Sequence, residues 1–191
     1  MTDTINVLIV GVGGQGTLFA GKVIGAVAEQ SGLEVKQSEV HGMAQRGGSV
    51  VTYVRFGSQA VSPLIERGEA DIIVAFEQLE ALRWIEFLKP GGMVIVNEQK
   101  ISPIPVIIGT AKYPDNIFGR LTESGVKLKT VNAAAMAADA GNSKATNIVL
   151  LGMLAQQLPL PIELWHSAIE EISPFTAIKA NLDAFGQGWN A

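Results

Sequence analysis

Apolar positions along the chain change period repeatedly up to residue 131, alternating short continuous runs with helical stripes, and after that the helical period takes over. Residues 5–10, Ile-Asn-Val-Leu-Ile-Val, form a strand-length apolar run stopped by Gly11. Beyond it Ala20, Val23, Ile24, Val27 and Ala28 fall on one face at helical spacing, which predicts a helix over 17–30 ended by Ser31-Gly32. Ala20, Gly21, Gly25 and Ala26 are small enough to let that helix lie close on a sheet. Residues 33–40 read as a second strand, reached after a short loop as a parallel crossover requires. Residues 50–56 alternate β-branched and aromatic side chains up to Gly57, giving a third strand.

The run 70–76 is almost continuously apolar, the pattern of a central parallel strand covered on both faces. A helix over 77–88 follows, stopped by Lys89-Pro90-Gly91-Gly92, and 93–96 is another buried strand. Pro103 and Pro105 restrict the next segment, so that only 106–108 can join a ladder. Asp115 is placed to cap a short helix running to about Ser124, and 126–131 is the last strand. Asn132 then caps an alanine-rich helix over 133–140 that Gly141 terminates. From Ser143 a helix carries Ile148, Val149, Leu150, Leu151, Met153 and Leu154, apolar almost all round, so it is buried inside this chain or under a partner. Pro161 and Ser173-Pro174 open two further helices, 162–172 and 175–185. The order predicts an α/β fold over a single domain, 1–191: a Rossmann-like, doubly wound, mostly parallel sheet with a helical C-terminal region.

Composition narrows the function. With 48% hydrophobic and 17% charged residues among 191, the chain can bury a sizeable core. Its net charge of -4, with 14 Lys and Arg scattered rather than clustered, gives no footprint for nucleic acid or an anionic membrane. Residues 1–4 lack the basic region of a secretory signal, and no apolar stretch reaches bilayer length, so a cytoplasmic location is expected. The absence of cysteine removes disulfides, a thiol nucleophile and the thiolate ligands of zinc or iron–sulfur centres. Any redox centre therefore sits on a cofactor or another chain.

Two stretches carry candidate chemistry. Gly11-Val12-Gly13-Gly14-Gln15-Gly16 joins the first strand to the first helix, where glycines let a ligand approach the backbone and helix N–H groups favour an anion. Gly11, Gly13 and Gly16 satisfy the dinucleotide pattern, with Glu39 near the end of the second strand as the acidic residue for a ribose; the same glycines also serve simple helix-on-sheet packing. Gln15 is unusual in a nicotinamide site and points to a different use. The second stretch, 41–49, combines His41, Gln45 and Arg46 with Gly42, Gly47, Gly48 and Ser49 between two strands. His41 either touches a ligand or partner, or holds the loop by hydrogen bonds. Arg46 can fork onto a phosphate or carboxylate, or pair with Glu39 or Glu77. His166 follows Trp165 on a helix and reads as packing or exposure. With two histidines and no Gly-x-Ser-x-Gly elbow, no nucleophilic triad or histidine metal site assembles.

These two stretches, together with Ser62-Pro63-Leu64-Ile65, Lys89-Pro90-Gly91-Gly92, Pro103-Ile104-Pro105-Val106, Tyr113-Pro114 and Thr146-Asn147-Ile148-Val149, resemble the gamma-type subunits of 2-oxoacid:ferredoxin oxidoreductases over essentially the whole chain. Among these the resemblance is strongest to the subunits acting with indolepyruvate. It implies an enzyme that converts an arylpyruvate, coenzyme A and oxidised ferredoxin to an aryl-acetyl-CoA, carbon dioxide and reduced ferredoxin. Thiamine diphosphate and iron–sulfur clusters are then expected on a larger alpha subunit, with no cofactor or metal on this chain and ferredoxin met through a hetero-oligomeric complex. The missing cysteines agree, as does the lack of a Gly-Asp-Gly followed by an asparagine at thiamine-motif spacing. The resemblance assigns no catalytic residue here; Gly11, Gly13, Gly14, Gln15, Gly16, His41, Gln45, Arg46, Gly47, Gly48 and Ser49 become a ligand or active-site wall. In that wall Arg46 positions a phosphate of coenzyme A or the oxoacid carboxylate, and His41 and Gln45 supply hydrogen bonds. Two other readings use the same residues: a free-standing oxidoreductase binding NAD or FAD, and a purely structural subunit.

Overall fold

The computed structural model describes residues 4–41, 48–60 and 62–191. Six strands form one sheet: β1 Ile5–Val12, β2 Glu34–His41, β3 Ser49–Gly57, β4 Ala70–Ala75, β5 Leu88–Asn97 and β6 Lys127–Val131. They lie in the order β2-β3-β1-β4-β5-β6. β1, β4, β5 and β6 run parallel, in line with the mostly parallel sheet expected and with the central position read for β4. β3 departs from the expectation: it pairs antiparallel with both β1 and β2, so it stands between the two strands read as a parallel crossover. The helix α1, Thr17–Gln30, still returns the chain from β1 to β2, but across β3 rather than to a neighbour.

One face of the sheet is covered by α1 and by the helices of the C-terminal half, α5 Ala133–Asp139, α6 Thr146–Ala155, α7 Ile162–Ile172 and α8 Ile178–Trp189. The other face packs against α2, Gln78–Trp84, and α4, Ile117–Glu123. As the sequence predicts, α6 is buried on every side; the structure buries it inside this chain, under α1, α5 and α8, so it is not a surface for a partner. Its approach to α8 is backbone to backbone. A Cβ at Gly188 would lie 1.9 Å from the Val149 carbonyl oxygen, and one at Gly152 would lie 2.2 Å from that of Phe185.

Local chemistry explains the other differences. The helix expected over 77–88 ends at Trp84 and tightens into a 3₁₀ turn, Ile85–Phe87, because Leu88 is drawn into β5 opposite Ala70. Residues 106–108 are not a strand; Ile104–Ile107 forms a single helical turn, α3, with Pro105 in its first turn, where a missing N–H costs nothing. The cap of α4 is Asn116, in the left-handed region at φ 50°, rather than Asp115. Asn132 caps α5 as expected, accepting the Ala135 N–H at 3.1 Å.

Candidate functional site

Parallel strands bring their carboxyl ends to one edge, and there the glycine turn meets the starts of α1 and α2. Gly13 extends the pairing of β1 with β3 by donating to the Gly48 carbonyl at 3.0 Å. Gly14 and Gly16 take positive φ values of 100° and 84°, and Gly16 caps α1 without a side chain. A Cβ at Gly16 would lie 2.8 Å from Nδ2 of Asn147 on α6, so here the glycine also permits close packing. Gln15 folds back beneath the turn. Its Oε1 accepts the Val12 N–H at 2.7 Å, and its Nε2 donates to the Phe76 carbonyl and to Oε1 of Gln99, each at 3.0 Å. One side chain thus ties the ends of β1, β4 and β5 together, and Asn97 adds a second tie by donating to the same Phe76 carbonyl at 3.1 Å.

On the α1 side a cavity of about 280 Å³ opens against Gly13, Gly14, Gly16, Glu39 and His41. His41 and Glu39, neighbours on one face of β2, line it as a contacting pair, Nδ1 to Oε1 at 2.9 Å, with the imidazole more than half exposed. The Thr52 hydroxyl donates to the other oxygen of Glu39 at 3.1 Å. Because β3 stands between β1 and β2, Glu39 approaches the turn from two strand spacings away, about 10 Å. A dinucleotide-binding fold puts its ribose-binding carboxylate on the strand beside β1, so the geometry departs from that pattern.

On the α2 side a larger cavity, about 450 Å³, lies beneath the segment that carries α3. Two carboxylates serve it in different ways: Glu80 lines it, and Glu77, behind the lining, holds the segment that roofs it. Glu77 caps α2 by accepting the Glu80 N–H at 3.1 Å, and its other oxygen accepts the Ile101 N–H at 3.0 Å and the Tyr113 hydroxyl. That bond and burial push the Tyr113 phenol far above its usual range, with burial the larger cause. Glu80 is 3% exposed, accepts the Ser49 hydroxyl at 2.5 Å and lies 3.5 Å from Nε of Arg83. Burial raises its carboxyl above the ordinary value, while Ser49 and Arg83 pull it down in part. Trp84 donates from Nε1 to the Ser49 oxygen at 3.4 Å.

The structure therefore brings Gly13, Gly14, Gly16 and His41 to one cavity and Gly48 and Ser49 to the other. Gly11 is packed inside, where a Cβ would meet Gln15, Phe76 and Thr17. Gln45, Arg46 and Gly47 lie outside the described residues, as does the rest of 42–47. The chain leaves the sheet at His41 beside the smaller cavity and rejoins it at Gly48 beside the larger one. His166 is exposed and meets the Phe185 ring edge-on at 5.5 Å, in line with the sequence reading. The sequence offers Glu77 only as a salt-bridge partner for Arg46 and does not mark Glu80, although two carboxylates at the start of the helix after a central strand are a visible signal. Among the described residues no group of three His, Asp or Glu can hold a metal ion, and none of the helices is long and apolar enough to cross a membrane.

Comparison with known proteins agrees with this architecture. The family model for pyruvate ferredoxin/flavodoxin oxidoreductase matches residues 6–191. The chain is 43% identical over 190 residues to indolepyruvate oxidoreductase subunit IorB of Archaeoglobus fulgidus, covering 97% of this chain and 94% of that one. A solved keto/oxoacid ferredoxin oxidoreductase gamma subunit from Geobacter sulfurreducens superposes with a TM-score of 0.73 at 23% identity, over 97% of this chain and 96% of the other. A pyruvate oxidoreductase subunit from Thermotoga maritima gives 0.74 at 22% identity, over 98% and 96%.

Proposed function

This chain belongs to the pyruvate ferredoxin/flavodoxin oxidoreductase family, and from that premise we propose that it serves an indolepyruvate:ferredoxin oxidoreductase by forming one wall of a shared active site. It is a gamma-type subunit of an oxidoreductase complex. The reaction joins an arylpyruvate to coenzyme A with loss of carbon dioxide and transfer of two electrons to ferredoxin. Thiamine diphosphate and iron–sulfur clusters supply that chemistry from a larger subunit. A chain without cysteine has no thiolates for a cluster, which supports this division of labour.

What carries the reading is the convergence at the carboxyl edge. The glycine turn, the His41–Glu39 pair and the buried Ser49–Glu80 pair flank the points where 42–47 leaves and rejoins the sheet. Exposed Leu18 and Val40 on one side, and Ile104, Ile107 and Ile108 on the other, give this edge an apolar surround suited to a protein partner. Gln15 acts as a support for the turn, both ends of its amide being engaged by Val12, Phe76 and Gln99. In this reading Arg46 positions a phosphate of coenzyme A or the oxoacid carboxylate, and His41 and Gln45 supply hydrogen bonds.

Co-expression with the larger subunit tests it. The two chains should copurify with thiamine diphosphate and iron and reduce ferredoxin with indolepyruvate and coenzyme A. Arg46→Ala should raise KM for coenzyme A or the oxoacid by about tenfold, the loss of one charge-assisted contact. Unchanged kinetics in an intact complex would remove Arg46 from the wall. Binding of NAD or FAD by the purified chain would favour a free-standing oxidoreductase instead.

A further inference from the structure

We propose that the cavity on the α2 side of the sheet, about 450 Å³, is a binding site for a planar aromatic carboxylate whose ring bears an N–H donor. Much of the lining is apolar, with the rigid rings of Pro103, Pro105 and Pro114 joined by Ile101, Val106 and, from α2, Leu79. Such a slot suits a ring, and its volume falls within the range of small-molecule sites. The roof is not a loose flap. Glu77 holds it at both ends of the segment, through the Ile101 N–H and the Tyr113 hydroxyl, so the slot is formed before any ligand arrives.

Polar groups fix the orientation. Glu80 lines the cavity and is itself almost fully buried. Ser49 and Arg83 use part of its acceptor capacity, but two carboxylate oxygens offer about four lone-pair positions, leaving room for a ring N–H. A ligand carboxylate placed beside Glu80 would meet like charge, so the ring enters first and the anion stays outside. At the rim stand Arg83, about half exposed, and Lys112, which has no hydrogen bond or ion pair with any described residue. A carboxylate there meets two cations, and either cation can also cover the ring face. Indole carries the required N–H, apolar body and side-chain acid in this arrangement. The identity of the natural occupant, an aryl 2-oxoacid or the arylacetate made from it, rests on the function proposed above; the cavity's chemistry does not.

Calorimetry on the full purified chain tests the site, with indole-3-acetate, indole-3-pyruvate, phenylacetate and indole as probes. Saturable one-to-one binding of an indole acid is expected, with phenylacetate weaker by about three- to tenfold for the lost N–H bond. Indole without the acid should bind at least about tenfold more weakly, as should indole-3-acetate to Lys112→Glu, since a charge-assisted contact is lost in each case. Val106→Trp should fill the slot and abolish binding, with unchanged circular dichroism showing that the fold is kept. Tighter binding of the pyruvate than the acetate assigns the oxoacid as occupant, and the reverse order assigns the product acid. No saturable binding, or binding indifferent to both Lys112→Glu and Val106→Trp, overturns the proposal. Either result alongside a complex that still turns over indolepyruvate rejects the cavity and leaves the subunit's role standing.

Discussion

Replacing Gln15 by alanine separates a structural support from a ligand contact. The substitution leaves the partly buried Val12 N–H without its acceptor, a loss of about 1–3 kcal/mol. The Phe76 carbonyl keeps Asn97 as a donor, so losing Nε2 there adds only about 0.5–1 kcal/mol. The bond to Gln99 is exposed and water replaces it. Freeing the side chain returns about 1 kcal/mol of rotamer entropy. The sum is a destabilisation of about 2 kcal/mol, or a fall of about 1 M in the urea midpoint for an m-value near 2 kcal/mol/M. Gln15→Glu makes the distinction sharper. It keeps an oxygen for Val12 but aims a second one at the Phe76 and Gln99 oxygens, so at neutral pH it should be at least as damaging as alanine. Below about pH 4.5 its carboxyl gains a proton, becomes a donor and should recover part of the loss. Urea titrations of both variants at pH 7 and pH 4, with unchanged m-values, are the assay. A midpoint within error of the parent chain, accompanied by loss of activity in the complex, would refute the support role and return Gln15 to the ligand wall.

Gly188→Ala drives a methyl into the Val149 carbonyl, where both sides are helix backbone and neither can rotate away, so a loss of 3 kcal/mol or more is expected by urea denaturation. Glu80→Gln keeps an acceptor for Ser49 and removes the buried charge. The native carboxyl sits above its unfolded value, so its favourable contribution is complete below about pH 4.5 and is lost as pH rises through the raised native value. Melting temperatures measured from pH 4 to pH 8 should therefore move in favour of Glu80→Gln as pH increases. Tyr113→Phe removes a partner of buried Glu77 and loosens the roof of the larger cavity; faster hydrogen exchange at the Ile101 amide is the expected signature.

β1, β3, β4 and β5 were legible because apolar runs announce burial, while the largely exposed β2 and β6 were placed by the turns and helices that flank them. Direction was not. Alternation along 50–56 is the same whichever way a strand runs, and only the short connection from β2 hints that β3 pairs back antiparallel. Pro103 and Pro105 were rightly read as barring a ladder, but Pro105 fits the first turn of a helix, a preference that outweighed the β-rich run after it. The glycine motif and the strand-end position of His41 are legible in the sequence, and the fold brings Gly13, Gly14, Gly16 and His41 to one cavity. Glu80 is not legible, and Glu77 reads only as an ion-pair partner, because a carboxylate opening a helix is ordinarily a cap; only the fold reveals that both are buried, Glu80 lining the cavity under Pro103 and Pro105 and Glu77 holding that segment in place.

The antiparallel placement of β3 also bears on how this surface can diverge. Residues 42–47 join two strands adjacent in the sheet, so the segment bearing Gln45 and Arg46 bridges a hairpin rather than a crossover. Doubling the length of such a bridge costs only about 0.6 kcal/mol in closure entropy, and the pairing from Glu34 opposite Gly57 to His41 opposite Val50 anchors both ends. Insertions and exchanges there leave strand order, core and both carboxylate anchors as they are, so the length and sequence of this connection are free to change at little cost to the fold.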